Sequence, residues 1–404
     1  MSTLALYRRF GVAGYAESGP PLLEPGITTL RVQQPRHRLR CANCRSAKVW
    51  LQGGVERNFH TLPIGGQPTF VQFKVPRVYC SDCHMTRQVK VSFADPKKHY
   101  THAFERYVLE LSRLMTIADV AAHLVIGWDT VKEIQAKSLQ RRFGKPKLRK
   151  RKEIAIDEIH IGKGNRYLTI VLDLRCGAVI FVGDGKGVDS LKPFWRRLRA
   201  AHAKIAAVAT DMSPAYIRAI RENLRGAVHV FDHFHVIKLY NDKLSAFRRW
   251  LFQHLSAAGQ KLLKGVRWLL VKNPENLDPT KQERQRLERA LRLNEPLAIA
   301  YYLKEDLRQI WLQPNRSLAQ RFLKDWIARA RSSGIRMLDQ FADTLEGHQE
   351  GILNYYRYRI STGPLEGTNN KIQLMKRRAY GFRDHEFFKL KILGAHETRY
   401  ALVG

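Results

Sequence analysis

Apolar and polar residues alternate with a period of two in Phe70-Val71-Gln72-Phe73-Lys74-Val75, which predicts a strand. Short alternating stretches of this kind run through 36–95, and from 100 to 142 the period lengthens to that of helices. A second strand-rich stretch follows, with strands predicted at 153–161, 166–174 and 178–183 in quick succession. A helix at 190–202 leads to a fourth strand at 205–210, and a helix at 214–224 to a fifth at 227–231. Three strands in a meander followed by alternating helices and strands predict a mixed sheet flanked by helices. From about 234 to 354 the strand signals stop and the pattern is helical, with Trp250, Trp268, Trp311 and Trp326 among many basic residues. A last helix is expected to start near Pro364, since proline suits a first helical turn. Residues 1–35, punctuated by Gly19-Pro20-Pro21 and Pro25-Gly26, read as an irregular lead-in. No internal repeat is visible.

Composition narrows the class. The chain has 404 residues, enough for two or three domains, and 70 Lys+Arg against 36 Asp+Glu give a formal net charge of +34. No apolar run approaches the ~18–20 residues of a membrane span, and Arg8 and Arg9 interrupt the only apolar stretch at the start, unlike a signal peptide. A cytoplasmic location and no membrane partner are expected. An excess of cations on this scale suits a polyanion, and nucleic acid fits better than a lipid surface because the basic clusters follow no amphipathic pattern. One cluster, 141–152, holds eight basic residues in twelve and no acid, with Gly144 and Pro146 to stop helix growth. It reads as a linker able to lie on phosphates through Arg141, Arg142, Lys145 and Lys147, or as a solvated tether.

Two short motifs add chemistry. Cys41-Ala42-Asn43-Cys44 and Cys80-Ser81-Asp82-Cys83 are paired knuckles, and four thiolates at this spacing suit one tetrahedral structural Zn²⁺ in a ribbon whose strands lie between them. His37, His60 and His84 lie close in sequence, but the four cysteines suffice, and Cys176 reads as a small apolar filler. Thr116–Ile134 has the pattern of a helix-turn-helix, with Val120, Ala121 and Leu124 inside one helix, a turn at Ile126-Gly127-Trp128, and Asp129 capping a second helix that buries Val131 and Ile134. Thr130, Lys132 and Glu133 would then face DNA.

Acids are scarce, so those at strand ends stand out. Asp157 lies in the first strand of the second stretch, Asp211 ends the fourth, and Glu366 follows Pro364 at the start of the last helix. Three converging carboxylates repel one another unless a hard divalent cation neutralises them. Two Mg²⁺ (or Mn²⁺) ions held this way support in-line phosphoryl transfer. The plainer readings are that Asp211 caps the helix after it and that Glu366 favours its own helix dipole. Glu366, Asn370, Gln373 and Arg377 recur at helical spacing, and Lys371, Lys376 and Arg377 add cations for DNA backbone. Asp232 and His233 close the fifth strand and read as supporting groups or as a plain strand-to-helix cap. Trp268 reads as a core residue, with stacking on a displaced base the alternative.

The blocks Ile156-Asp157-Glu158, Ala209-Thr210-Asp211-Met212-Ser213-Pro214, Val230-Phe231-Asp232-His233-Phe234-His235-Val236 and Gly363-Pro364-Leu365-Glu366-Gly367-Thr368-Asn369-Asn370-Lys371 resemble those of bacterial insertion-sequence transposases of the ISL3 family. The resemblance spans roughly 36–400 and implies a DDE enzyme with an RNase H-like catalytic core. It further implies that Asp157, Asp211 and Glu366 are the catalytic and magnesium-binding acids; Asp157 is selected over Glu158, which points to the other face of its strand.

The organisation expected is therefore α/β and multidomain. It comprises a lead-in (1–35), a zinc ribbon (36–95), a helix-turn-helix domain (100–143) and a basic linker (144–152). An RNase H-like core (153–235 plus 355–400) follows, interrupted by an all-helical insertion (236–354). The implied partners are double-stranded DNA, as terminal inverted repeats and target, and further copies of the chain in a homodimer or larger synaptic assembly. The implied reaction is metal-dependent cleavage and strand transfer in the bacterial cytoplasm. The alternatives are a catalytically inactive DNA-binding regulator and a non-transposing nuclease of the same core class.

Overall fold

The computed structural model describes residues 10–162, 164 and 166–396. Residues 1–9 of the expected lead-in and 397–400 of the expected core lie outside them. The chain divides into two compact units, one ending at Lys145 and regaining Leu374–Gly394, the other comprising mainly Pro146–Gln373.

The first unit begins with a sheet of β1 (Ala16–Glu17), β2 (Leu22–Glu24), β3 (Ile27–Gln33), β4 (Val49–Ile64), β5 (Gln67–Cys80) and β6 (Thr86–Gln88). The lead-in is thus not irregular. β3 runs parallel to β5, pairing Thr28 with Thr69 through Val32 with Phe73, and β1 and β2 pair antiparallel with β3. Phe10, Val12, Tyr15, Leu30 and Val32 share one core with Phe59, Val71, Phe73 and Phe93. The alternation that buries Leu30 and Val32 is only a few residues long and sits beside Gly–Pro breaks, which is why the turn signals outweighed it. β4 and β5 form one long hairpin whose turn, Gly65-Gly66, has positive φ at both residues (58° and 78°), as a two-residue hairpin loop demands.

Four helices complete this unit: α1 (His102–Leu111), α2 (Ile117–Leu124), α3 (Trp128–Phe143) and, from the far end of the chain, α15 (His385–Gly394). Thr101 caps α1 by accepting from the Phe104 N–H, and Thr116 with Asp119 forms a reciprocal capping box at α2. Gly127, not Asp129, occupies the cap of α3, leaving Asp129 in the first turn where its charge still suits the helix dipole. Phe104, Val108, Ile117, Val120, Leu124, Val131, Ile134 and Phe387 close a common core. Leu374–Gly394 belong to the first unit, whereas the core was expected to take in 355–400. Gly394 shows how close that packing is, since a Cβ there would lie 2.9 Å from Leu139 Cδ2.

The second unit holds β7 (Glu153–His160), β8 (Tyr167–Asp173), β9 (Ala178–Asp184), β10 (Ala207–Thr210) and β11 (Val228–Phe231), in the order β11-β10-β7-β8-β9. β7, β8 and β9 are an antiparallel meander, and β10 and β11 run parallel to β7. α4 (Lys192–Ala200) and α5 (Pro214–Asn223) bury Phe194, Trp195, Leu198, Tyr216 and Ile220 against Ile154, Ile156 and Val171. The basic linker is anchored here. Leu148 enters this core, Arg151 pairs with the buried Asp173 at 2.5 Å, and Arg197 donates to the Pro146 carbonyl at 3.1 Å.

Eight helices follow, from α6 (His233–His254) to α13 (Gln349–Leu353), around a core of their own. Trp326 is fully buried there and donates its indole N–H to the Leu303 carbonyl at 2.8 Å. Trp268, by contrast, is 67% exposed, with the Arg267 guanidinium 4.6 Å from its ring, so it is not a core residue. α14 (Gly363–Arg378) then starts in the second unit and ends among residues counted with the first. No helix among the described residues is long and apolar enough to cross a membrane.

His60, on β4, is sandwiched between the rings of Phe70 and Phe104 at centroid distances of 4.7 and 4.3 Å. Burial lowers it to about 4, so the folded chain keeps it neutral while the unfolded chain protonates it near 6.5. The unfolded state then binds more protons between those values, and stability falls as pH drops through 6.5 towards 4, by up to about 3 kcal/mol. His60→Phe should flatten this part of the stability profile, read by denaturant unfolding of the full chain at pH 7 and pH 5; an unchanged slope refutes the assignment.

Candidate functional site

Three sites emerge from the fold. At the open end of the β4–β5 hairpin, where Val49 pairs with Cys80, the two knuckles face each other. Both are built alike. The Arg45 N–H donates to the Cys41 carbonyl (3.0 Å) and the His84 N–H to the Cys80 carbonyl (2.9 Å), and Arg45 and His84 each take positive φ, at 62° and 54°. Cys41 and Cys83 Sγ lie 3.6 Å apart, Cys44 and Cys80 Sγ 3.5 Å, and all four sulfurs fall within 4.8 Å of one another. A tetrahedron with Zn–S of about 2.3 Å has edges of about 3.8 Å, so the spacing fits one zinc ion and is far too long for a disulfide of about 2.05 Å. Hydrogen bonding from the Cys44 and Asn43 backbone pulls the Cys41 thiol down to about 6, while Cys44, despite a backbone hydrogen bond from Ser46, is pushed up to about 12 by the thiols beside it. None of the neighbouring histidines takes part: His60 is buried between rings, and His84 Nδ1 is 3.0 Å from the Tyr79 hydroxyl.

The second site is the helix-turn-helix surface. Thr130 is half-buried, while Lys132 is drawn into an ion pair with Asp384 at 2.8 Å and lies 5.5 Å from the Trp128 ring, and Glu133 pairs with Lys98. Both of these expected DNA-facing residues thus have partners within the domain, Lys132 on the segment leading into α15 and Glu133 on the segment before α1. Trp128, at 47% exposure, and Asp129 are open to solvent instead. Arg141 and Arg142 form the last turn of α3 rather than part of a linker, Arg142 sits 4.9 Å from the Phe143 ring, and Lys145 and Lys147 are exposed. Lys371 and Arg377 are also exposed, and Lys376 is half-buried.

The third site is carboxylate-rich. In the parallel register of β7 and β10, Ala207 pairs with Glu153 and Ala209 with Ala155, an offset of 54. Carried on by two residues, it sets Asp211 level with Asp157, since 211 − 157 = 54, and the two side chains then share one face of the sheet. β10 and β11 pair with an offset of 21 (Thr210 with Phe231), which sets Asp232 level with Asp211. Three acids thus stand level across three adjacent parallel strands, Asp157 within β7 and Asp211 and Asp232 just past the ends of β10 and β11. Glu158 points to the other face, where the Tyr216 hydroxyl of α5 donates to it.

α14 lies along β7 on this row. The Asn369 amide donates to Asp157 Oδ2 at 2.9 Å and the Gln373 amide to the His160 carbonyl at 2.8 Å. Glu366 is exposed, one helical turn before Asn369 and on the same stripe. The start of α14 is pinned from below: the Thr362 hydroxyl donates to Asp232 Oδ2 at 2.6 Å, and the Glu366 N–H to the Thr362 carbonyl at 2.9 Å. Asp232 is buried and begins α6, so it acts inside the fold and not on its surface, while His233 is exposed beside Trp311 and Tyr355. Asn370 is exposed; the amide that reaches the row belongs to Asn369, and helical spacing from Glu366 allows either of the two neighbours.

Electrostatics sets these acids apart. Burial raises the Asp157 carboxyl to about 6; His235 pulls it down, and the charges of Glu158 and Asp211 push it up. Asp211 Oδ1 accepts from the Ser213 N–H at 3.0 Å, an Asx turn ahead of α5 whose cap is Ser213, so Asp211 is not the helix cap. In a chain with 70 Lys+Arg, neither Asp157, Asp211 nor Glu366 forms an ion pair among the described residues. Among those residues the four cysteines are also the one group of three or more His, Cys, Asp or Glu whose ligand atoms lie within 4.8 Å of one another. The oxygens of Asp157, Asp211 and Glu366 are spread more widely.

Comparison with known proteins places this geometry. A family model described as "Transposase", for the DDE transposases of ISL3, matches residues 154–392. A "Helix-turn-helix domain of transposase family ISL3" matches 89–137, and a "zinc-finger of transposase IS204/IS1001/IS1096/IS1165" matches 37–83. The chain is 30% identical over 383 residues to the transposase for insertion sequence element IS1001 of Bordetella parapertussis, covering 92% of each. It is 27% identical over 372 residues to the transposase for IS1557 of Mycobacterium tuberculosis, covering 85% of this chain and 82% of that one. The solved Drosophila P element transposase strand transfer complex matches at 12% identity with a TM-score of 0.31, over 66% of this chain and 81% of that one, too distant to bear on function. With its matched zinc finger, helix-turn-helix and transposase regions in succession, the chain belongs to the ISL3 family of DDE transposases.

Proposed function

We propose that this transposase cuts and joins DNA at Asp157, Asp211 and Glu366, with the zinc ribbon and helix-turn-helix gripping the element's terminal inverted repeats. The observation that carries the reading is the strand register that sets Asp211 level with Asp157 on one face of the sheet, with Asn369 of the Glu366 helix bonded to Asp157. A cation-rich chain that keeps Lys and Arg off these carboxylates leaves them for a metal.

The donor set is all oxygen and suits two Mg²⁺ or Mn²⁺ ions, whose chemistry when bound is to activate a water or 3′-hydroxyl and to stabilise the leaving oxygen. The protein's own part is placement. Asn369 holds one oxygen of Asp157 with a neutral amide, adding no positive charge that would compete with a metal. Asp232 and Thr362 fix the start of α14, and so the reach of Glu366. Lys371, Lys376 and Arg377, with Arg141, Arg142, Lys145 and Lys147, offer charge to phosphates. The strand ends hold no nucleophilic Ser or Tyr in the row, in keeping with direct attack by water and then by the freed 3′-hydroxyl. Two element ends must be held together for joining, which calls for a dimer or larger assembly in the cytoplasm at the nucleoid.

The wide spacing of the three acids favours a second reading, a copy that binds ends without cutting them. Labelled end duplex with Mg²⁺ or Mn²⁺ decides between them. The wild type should cleave and join it, and Asp157→Asn and Glu366→Gln should fall to background while still binding ends. If wild type and Asp157→Asn are equally inert, the regulator reading stands. Mg²⁺ should also raise the melting temperature of the wild type and not that of Asp157→Asn, because a ligand bound only by the folded state adds stability. Thr362→Val, which breaks the clamp below α14 without touching Asp157, Asp211 or Glu366, should slow strand transfer roughly 10- to 100-fold, a typical cost of losing an outer support of a metal site. Elemental analysis should find one zinc per chain, absent from Cys80→Ser, with loss of both end binding and thermal stability.

A further inference from the structure

α14 ends in a Schellman turn: the Tyr380 N–H donates to the Arg377 carbonyl at 3.1 Å and the Gly381 N–H to the Lys376 carbonyl at 2.9 Å. The first residue of such a turn beyond the helix takes the left-handed conformation and is usually glycine, because a Cβ is penalised there. Here it is Tyr380, at φ 50°, with Gly381 following at φ 99°. A side chain held in that conformation normally has packing to compensate, and Tyr380 has none, since it is fully exposed at 101%. Lys376, Arg377 and Arg378 precede it and Arg383 follows. Arg377, Arg378 and Arg383 are exposed, and none of the four cations is in an ion pair among the described residues.

A ring on a strained tip, packed on nothing and flanked along the chain by cations outside any ion pair, matches the chemistry that binds unstacked nucleic acid. The π-face takes a base and the cations take the flanking phosphates. We propose that Tyr380 stacks on an unpaired nucleobase of the element-end DNA, while Arg377, Arg378 and Arg383 hold the backbone on either side. Sequence contributes little to such a contact, because every base offers a π-face. The proposal rests on DNA being the ligand of this chain, and the two ideas can fail separately.

The full-length protein would be titrated with two end duplexes, one fully paired and one carrying a single unpaired base. The wild type should favour the second by about 5- to 150-fold, the range that base–aromatic stacking supplies. Tyr380→Phe should keep that preference, and Tyr380→Gly should abolish it while leaving the salt dependence unchanged. Tyr380→Gly should also melt higher than the wild type, because glycine accepts the left-handed turn; this separates loss of contact from loss of fold. Arg378→Ala should weaken both duplexes alike and reduce the salt slope by about 1. A preference that survives in Tyr380→Gly, or a wild type that binds both duplexes equally, overturns the stacking role alone. A wild type that binds neither duplex overturns the DNA reading together with it.

Discussion

The parallel alignment of β10 and β11 beside β7 is the constraint on which the candidate catalytic site depends. Register in a parallel pair is a shared hydrogen-bond ladder, so a slip of one residue turns every side chain to the other face. Asp157, Asp211 and Asp232 come from segments 54 and 21 residues apart, and the ladder puts them on one line. What fixes that register is burial on both faces of the strands: Ile154, Ile156, Val208 and Val230 are fully buried. The hydrophobic core thus sets the position of polar groups that contribute nothing to it.

Much of this was legible in the sequence because it is local. The five strands of the second unit, the helical stretch after Phe231, the paired knuckles and the capped α2 each announce themselves through period, spacing or a capping residue. What sequence missed is what distant segments do to one another. β3 reads as part of a Gly–Pro lead-in until its partner β5 is known, 40 residues further on. Lys132 reads as a groove-facing residue until Asp384 arrives from 252 positions away. Asn369 and Asn370 are neighbours of one type, and only the packing of α14 against β7 tells which amide meets Asp157.

The distribution of charge carries its own argument. Acidic residues in this protein are mostly spent on ion pairs: Asp95, Glu133, Asp173, Glu283, Asp306 and Asp343 each hold a Lys or Arg. Other exposed carboxylates among the described residues, including Glu17, Glu24, Glu56, Asp129 and Glu350, also stand outside such pairs. What sets Asp157 and Asp211 apart is their shared register, and their hydrogen-bond partners, the Asn369 amide and the Ser213 N–H, orient an oxygen without neutralising it.

Such an arrangement has a cost in stability that a structural explanation of the acids would have to justify. Burial raises Asp157 to about 6, so at neutral pH the protein keeps an ionised carboxylate in a place that disfavours it, beside two others of the same sign. A group kept for packing would be replaced by an amide or an apolar side chain at no loss, and a group kept for an ion pair would have its partner. Under the proposed reading, a carboxylate held half-buried by one neutral amide and level with a second acid gains from this placement when a small multivalent cation shares the site.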